Sequence, residues 1–178
     1  MNNQGSYTIH ETTADDLDAA TLVRLQSWLD THVNDDAGVT RQWIEERNKR
    51  QASEEVSSVR REHFLTGKRE DKMNAWVAKD ESGTVIGTTT SFIDNDGVQR
   101  LGSLYVEKSW HGSGVAGALM QKVIDWFNDT KDIHLGVVSY NERAKAFYRK
   151  WGFEEVSDSE SLFDNKIPEI QIIRRAER

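Results

Sequence analysis

The chain has 178 residues, 37% of them hydrophobic and 30% charged, the balance of a globular domain, so we expect one domain over residues 1–178 with its core at about residues 6–175. The absence of cysteine excludes disulfides, zinc–thiolate sites, iron–sulfur clusters and a cysteine nucleophile. The net charge of −7 argues against nucleic acid as a partner, and the lack of a long apolar run or a signal-peptide pattern predicts a cytoplasmic protein with no membrane partner.

The first elements in chain order are a strand and a helix. Tyr7 and Ile9 alternate with polar residues over residues 6–11, as in a half-buried strand. Thr13 can then cap a helix, because a threonine oxygen can accept from a free amide of the first turn. The apolar stripe of this helix is predicted to consist of Leu17, Leu22, Leu25, Trp28 and Leu29.

The middle of the chain predicts polar helices and then a hairpin. Residues 34–39 end the first helix, and residues 40–65 have a polar helical pattern that a break near Ala52 divides. Two strand patterns follow, at residues 74–79 and 85–93, and the turn-forming sequence Asp-Glu-Ser-Gly between them predicts a β-hairpin.

The second half of the chain predicts further strands that alternate with helices. Gly152 follows the last helix at the position where a left-handed residue commonly ends helices. The predicted elements are strands at residues 101–106, 133–138, 153–156 and 169–173, and helices at residues 113–128 and 141–151.

The segment Leu-Tyr-Val-Glu-Lys-Ser-Trp-His-Gly-Ser-Gly-Val-Ala-Gly, residues 104–117, carries the main functional signal. A strand ends there, a glycine-rich turn follows and a helix begins. Amides at the start of a helix have no partner within the helix and point outward beside the positive end of its dipole. Glycines also let an anion approach the backbone closely, so this order predicts a phosphate-binding turn.

Gly112, Gly114 and Gly117 also match the dinucleotide-binding pattern G-x-G-x-x-G. That site needs a following strand that ends in an acid, whereas the strand at residues 133–138 is followed by Ser139. A dinucleotide-binding protein is therefore only a remote alternative.

The same segment resembles the acetyl-CoA-binding motif Q/R-x-x-G-x-G/A of the GNAT acetyltransferases. Its six places are taken by His111, Gly112, Ser113, Gly114, Val115 and Ala116. His111 departs from the pattern, because the family usually has Arg or Gln there.

A second segment, residues 141–153, resembles the later motif N-x-x-A-x-x-F-Y-x-x-x-G-F of the same family. The matching residues are Asn141, Ala144, Phe147, Tyr148, Gly152 and Phe153. The two motifs follow each other in the family's order, which makes the resemblance specific from about residue 85 to residue 153.

The resemblance implies an α/β (α+β) GNAT fold, with a mixed, strongly twisted central sheet of about seven strands and about four flanking helices. The strands at residues 101–106 and 133–138 would splay apart, and the pantetheine of acetyl-CoA, the implied co-substrate, would fill the gap. The implied acetyl-CoA-binding residues are Leu104, Tyr105, Val106, His111, Gly112, Ser113, Gly114, Val115, Ala116, Gly117, Asn141, Ala144 and Phe147.

The implied activity is direct attack by an amine on the thioester, with no metal. An amide near Val106 would stabilise the oxyanion, and Tyr148 would protonate the leaving CoA thiolate. Asn141 could cap its helix as well as bind pantetheine. No general base is assigned, because a carboxylate such as Glu107 after a strand is more often solvated, and no histidine has a second ligand at metal spacing.

The acceptor amine would lie between two acidic segments, which favours a cationic partner such as a polyamine or a basic peptide end. Their acids are Asp35, Asp36, Asp158, Glu160 and Asp164, and a solvated acidic surface is the alternative explanation for them. Of the six tryptophans, Trp28 and Trp126 fit a core, and Trp43 is the candidate for an aromatic contact to a cation. A possible homodimer is implied by analogy alone, and an acetyl-CoA sensor or a catalytically silent interaction module is the alternative function.

Overall fold

The computed structural model describes residues 5–176, so residues 1–4 and 177–178 of the predicted domain lie outside the description. The strands are β1 (Tyr7–Glu11), β2 (Met73–Asp80), β3 (Val85–Ile93), β4 (Gln99–Val106), β5 (Ile133–Val138), β6 (Phe153–Glu155), β7 (Ser161–Phe163) and β8 (Ile167–Arg174). The helices are α1 (Leu17–Thr31), α2 (Arg41–Gln51), α3 (Glu54–Arg69), α4 (Val115–Trp126) and α5 (Glu142–Lys150). Every predicted strand and helix is therefore confirmed, and the unpredicted short strand β7 brings the number of strands to eight.

Polar caps set the limits of the first helices. The capping box between Thr13 and Asp16 opens a single 3₁₀ turn, and α1 starts after it. The break predicted near Ala52 is confirmed: α2 ends at Gln51, and the Ser53 hydroxyl accepts from the Val56 amide to begin α3. The predicted polar helical stretch is thus two helices, which gives five in the described part of the chain instead of about four.

The eight strands form one mixed sheet in the order β1-β2-β3-β4-β5-β8-β6, with β7 paired to β8. All neighbours are antiparallel except β4 and β5, which run parallel. This parallel pair is joined only at its start, by Gln99 opposite Ile133 and Arg100 opposite His134. Beyond these two residue pairs the strands separate, so the predicted splay is confirmed and an opening runs into the middle of the sheet.

The main core lies between the sheet and α4. Val115, Leu119 and Val123 are fully buried there, and Phe127 is 7% exposed, which confirms the predicted four-residue spacing. The predicted stripe of α1 is wrong at Leu22, which is 65% exposed. This helix instead turns Ala20 and Val23 toward the strand residues Val77 and Val85, and that face leaves Leu22 in solvent.

None of the helices within residues 5–176 combines the length and the apolar character that spanning a membrane requires.

Candidate active site

A cavity of about 690 Å³ occupies the opening between β4 and β5. The ends of these strands form two of its sides, and the turn before α4, the inner face of α5 and the end of α1 complete it. Twelve residues named from the sequence line this cavity: Leu104, Tyr105, Val106, His111, Gly112, Gly114, Ala116, Gly117, Asn141, Ala144, Phe147 and Tyr148. Ser113 and Val115 lie outside it.

The turn before α4 presents free amides to this cavity. Gly112 and Gly114 have φ of +86° and +93°, a left-handed conformation that only glycine adopts without strain. Within residues 5–176, no acceptor is bonded to the amides of Gly112, Gly114, Ala116 and Gly117, and all four residues line the cavity. The turn is therefore an unsatisfied set of donors at a helix N-terminus, where an anion binds favourably.

The two named residues outside the cavity stabilise the turn. The Ser113 amide and hydroxyl both donate to the Trp110 carbonyl, at 3.3 and 2.7 Å, and the Val115 amide contacts the Ser113 oxygen at 3.4 Å. The Val115 side chain is fully buried against the sheet. Their place in the motif thus has a structural explanation that involves no ligand.

The separated strand edges present further backbone groups to the cavity. The Glu107 amide donates to Ile86 of β3, and the Ser139 amide donates to Pro168 of β8. Because hydrogen bonding alternates along an antiparallel strand, the amides of Leu104 and Val106 on β4 and of Val138 on β5 point toward the opening. An extended ligand in the cavity can bond to these groups as an added strand would.

His111 takes the place where the motif usually has a cation, but its ring is turned onto the protein. Its Nε2 lies 3.0 Å from the Val106 carbonyl oxygen and must donate there, and its Nδ1 accepts from Arg143. Burial and the charge of Arg143 lower the pKa of His111, which favours the neutral form of the ring. Arg143, an exposed side chain that lines the cavity, therefore supplies a cation beside the glycine-rich turn.

Helix α5 and its N-cap residue place four residues of the second motif on the cavity. Asn141 caps the helix, because its Oδ1 accepts from the Ala144 amide at 3.0 Å, which confirms the predicted cap. Tyr148 is buried and packs edge-on against Phe147 and Phe153. No described residue is hydrogen-bonded to its hydroxyl, and burial raises its pKa, so the phenol keeps its proton and is available to a ligand.

The end of α1 supplies a wall of the cavity that was not predicted from the sequence. The Trp28 Nε1 donates to the Tyr105 hydroxyl at 2.9 Å, and the His32 ring stacks on Trp28 at 4.5 Å. Burial and then the charge of Arg47 lower the pKa of His32 to about 4. Trp28 is 4% exposed, as predicted for a core residue, and it also lines the cavity, whereas Trp43 does not.

The acidic residues are arranged differently from the expectation. None of the five acids named in the two acidic segments lines the cavity, and Asp164 is paired with Arg47 at 2.7 Å. Glu107 borders a separate cavity on the other side of α1, together with Asp15 and Asp16. Glu169 on β8 lines the main cavity, and the sequence offered one signal for it: a carboxylate at the start of an otherwise apolar strand pattern.

In the described part of the chain, no group of three or more His, Cys, Asp or Glu side chains is arranged to hold a metal ion.

The sequence matches a family model over residues 39–153, and that family is described as the acetyltransferase (GNAT) family. An uncharacterised N-acetyltransferase of Mycobacterium tuberculosis is 34% identical over 103 residues, which are 56% of this chain. The alignment spans 62% of the length of that relative. Because the alignment covers less than two thirds of that relative, its activity is not carried over to this chain.

Solved structures of low sequence identity share the fold of this chain. A PaiA N-acetyltransferase from Thermoplasma acidophilum, in complex with coenzyme A, has a TM-score of 0.72 at 18% identity, over 93% of this chain and 98% of its own. A GNAT-family acetyltransferase from Staphylococcus aureus has a TM-score of 0.66 at 16% identity, over 97% of this chain and 100% of its own. At this identity the likeness shows the fold, and the fold is the one that the sequence motifs predicted.

Proposed function

Because this chain belongs to the acetyltransferase (GNAT) family, we propose that it is an N-acetyltransferase that moves the acetyl group of acetyl-CoA to a primary amine of a small molecule or a peptide. One observation carries this proposal: the four free amides of the turn at residues 112–117 open into the cavity that separates β4 from β5. The diphosphate of acetyl-CoA can accept hydrogen bonds from these four amides, and its extended pantetheine arm can pair with the edges of β4 and β5.

The coenzyme would be held mainly by backbone groups. The amides of Gly112, Gly114, Ala116 and Gly117 would bind the diphosphate, with Arg143 supplying the positive charge beside it. The pantetheine amides would pair with the edge groups at Leu104 and Val106, as an added strand pairs with a sheet edge. Coenzyme A bound to the Thermoplasma relative supports the same ligand class here.

The reaction would be direct attack in a ternary complex. The amine nitrogen bonds to the thioester carbon, the carbonyl oxygen takes up negative charge, and the Val106 amide stabilises that oxyanion. The carbon–sulfur bond then breaks, and the Tyr148 hydroxyl gives its proton to the CoA thiolate. The attacking nitrogen loses a proton as the amide forms, which restores the phenol directly or through solvent.

The acceptor would be a primary amine, and a polyamine or a basic peptide end is the finer form of this proposal. The acids at residues 35, 36, 158 and 160 are exposed, so they can attract a cation from a distance without contacting the cavity. A cytoplasmic location and a homodimer stay predictions, and light scattering during gel filtration tests the second.

A screen of primary amines, monitored by release of CoA from acetyl-CoA, tests the function. We expect acetyl-CoA to bind in calorimetry and at least one amine to be turned over. Saturation with acetyl-CoA and no turnover would favour the sensor or the silent module. No affinity for acetyl-CoA or free CoA would contradict the whole proposal.

A further inference from the structure

Glu169 is the carboxylate that reaches the reaction cavity. Among the residues that line this cavity it is the one acid, and it belongs to β8, opposite Val138 of β5 and Ser161 of β7. Strand β8 does not border the opening between β4 and β5, because β5 lies between them. To reach the cavity the side chain must therefore cross β5.

Gly136 on β5 makes this crossing possible. A Cβ at Gly136 would lie 2.3 Å from the carboxyl carbon of Glu169 and 2.4 and 2.5 Å from its two oxygens, far inside contact distance. The carboxylate thus lies flat over the one backbone position of β5 that has no side chain there. Burial raises the pKa of Tyr105 on β4, and the charge of Glu169 adds a smaller rise, which places the carboxylate within electrostatic reach of the far side of the opening.

The carboxylate is only partly satisfied by the protein. The Gln171 amide donates to its Oε1 at 3.1 Å, and no cation of the described residues forms an ion pair with it. Burial raises the pKa of the Glu169 carboxyl, opposed only by the Gln171 hydrogen bond. A partly buried carboxylate without a counterion is stabilised when a cation binds beside it, and an ammonium group is such a cation.

The other candidate bases in and near the cavity are less suitable. His32 has a pKa of about 4, and its Nδ1 is engaged by the Thr31 hydroxyl at 2.7 Å. His111 is bonded to the Val106 carbonyl and to Arg143, so neither ring nitrogen is free. Glu107 borders the separate cavity. The remaining titratable groups of the cavity are the phenols Tyr105 and Tyr148 and the cations Arg143 and Lys150.

We propose that Glu169, lying over Gly136 in the cavity, binds the ammonium group of the acceptor and removes the proton that keeps it from reacting. This assignment rests on the proposed acetyl transfer and names the general base of that reaction.

The proton balance of the step is simple. The acceptor enters as R–NH₃⁺, and one N–H bond breaks as its proton passes to a carboxylate oxygen of Glu169, which leaves R–NH₂ with a free electron pair. That pair attacks the thioester carbon and the carbon–sulfur bond breaks. Tyr148 gives its proton to the sulfur, and the nitrogen loses its second proton to restore the phenol, so the products are the acetamide and CoA thiol. The proton on Glu169 is released to solvent, so one proton leaves for each acetyl group transferred.

Glu169→Gln tests the proposal because it removes the base and keeps the size of the side chain. The probes are primary aliphatic amines, each paired with an analogue that carries a CF₃ group beside the amine carbon and is already deprotonated at pH 7. With the basic amine we expect kcat/KM at pH 7 to fall by about 100-fold, the usual range for losing a general base. With the fluorinated analogue the loss should be about threefold or less, since its nitrogen carries no ammonium proton that must be removed before it attacks.

The pH profile gives a second readout. For the variant and the basic amine, kcat/KM should rise about tenfold per pH unit between pH 7 and 9, as the free amine increases, while the wild type stays nearly flat. Glu107→Gln is the matched control, with a carboxylate lost outside this cavity, and should behave as wild type. Gly136→Ala displaces the carboxylate without removing it, so it should show the same dependence on amine basicity if Glu169→Gln folds poorly.

The outcomes separate two failures. If wild type releases no CoA with any amine, the proposed function is wrong and the role of Glu169 falls with it. If wild type is active, and Glu169→Gln is equally active or loses the same factor with both amines at every pH, only the assignment of Glu169 is overturned.

Discussion

At the scale of single residues, Tyr148 has the features expected of a general acid that protonates a leaving group. It lines the cavity, no described residue is bonded to its hydroxyl, and burial raises its pKa. We expect Tyr148→Phe to lower kcat by about 100-fold, with the acetyl-CoA affinity unchanged, because only the proton donor is lost. Steady-state rates from pH 6 to 9 measure this, and unchanged turnover over that range would remove Tyr148 from the mechanism.

Tyr7→Phe is the control for that experiment. The Tyr7 ring packs edge-on against Trp110, with 6.3 Å between the ring centres, but does not line the cavity. Removal of its hydroxyl should therefore leave kcat unchanged.

Arg143 is the residue whose charge should matter for the coenzyme. We expect Arg143→Gln to weaken acetyl-CoA binding by about tenfold, roughly the value of one charge-assisted hydrogen bond at an exposed site, and added salt should weaken the wild type more than the variant. Calorimetry at two salt concentrations measures both effects. Arg149→Gln, on the same helix and outside the cavity, should bind acetyl-CoA normally; equal affinities for the two variants would contradict the assignment.

Local motifs predicted the glycine-rich turn before α4 because the residues that form it are adjacent in the chain. Gly112 and Gly114 had to be glycines for their positive φ, and this is visible in the sequence. The rotation of His111 toward Val106 was not visible, nor was the contact with Arg143, 32 positions later, which depends on how α5 packs beside the turn. The position of Glu169 in the cavity was not predicted for a similar reason, since it depends on the space left by the missing side chain of Gly136.

At the scale of elements, Arg47 joins α2 to the turn between β7 and β8. Its side chain is 4% exposed, its Nε donates to Asp164 at 2.7 Å, and its guanidinium lies 3.6 Å from the centre of the Trp28 ring. Its Nη1 is buried with no hydrogen-bond partner, so the burial of this charge is only partly compensated. The contact therefore fixes a hairpin at the edge of the cavity and should be sensitive to loss of either partner.

The two partners should differ in their effect on stability. Arg47→Met removes the charge together with the cost of burying it, and we expect the free energy of unfolding to fall by about 2 kcal/mol. Asp164→Asn leaves the guanidinium without its counterion and should cost more, about 3 kcal/mol. Urea unfolding measures both. The exposed control Arg41→Met should change stability by less than about 0.5 kcal/mol, and the reverse order of the two losses would contradict this account.

The elements themselves were largely readable from the sequence, and the exceptions are instructive. Strand β7 has three residues, all exposed, so neither alternation nor an apolar run marks it; it forms because β8 offers a free edge. Leu22 fitted a helical stripe but faces solvent, since the packing of α1 on the sheet selects the neighbouring face of the helix. Hydrophobic periodicity therefore predicts that a helix is present more reliably than it predicts which face of the helix is buried.

At the scale of the whole molecule, the net charge of −7 bears on the choice of acceptor. If the exposed acids attract a polycation, the KM for spermidine should lie below that for a monoamine of similar length, and it should rise several-fold between about 50 and 500 mM salt as screening increases. The KM for the monoamine should change less. Equal KM values that do not respond to salt would leave these acids as a solvated surface.

The order of the strands could not be worked out from local sequence, because it depends on pairings between distant segments. Strand β8 inserts between β5 and β6, and this insertion brings Glu169 to the cavity between β4 and β5. The family resemblance supplied the expectation of a splayed sheet, and composition alone would have allowed several mixed folds.

The two-pair contact between β4 and β5 has a consequence for the empty protein. With so few ladder bonds between them, the first four strands and the last four are joined chiefly by side-chain packing and by the chain that links them. A coenzyme that bonds to both edges would link the two halves of the sheet. A ligand at 100 times its Kd adds about 2.7 kcal/mol to the stability of the form that binds it. The melting temperature of this protein should therefore rise with the fraction that is bound to coenzyme. Hydrogen exchange of the amides at the two strand edges should slow when the coenzyme binds.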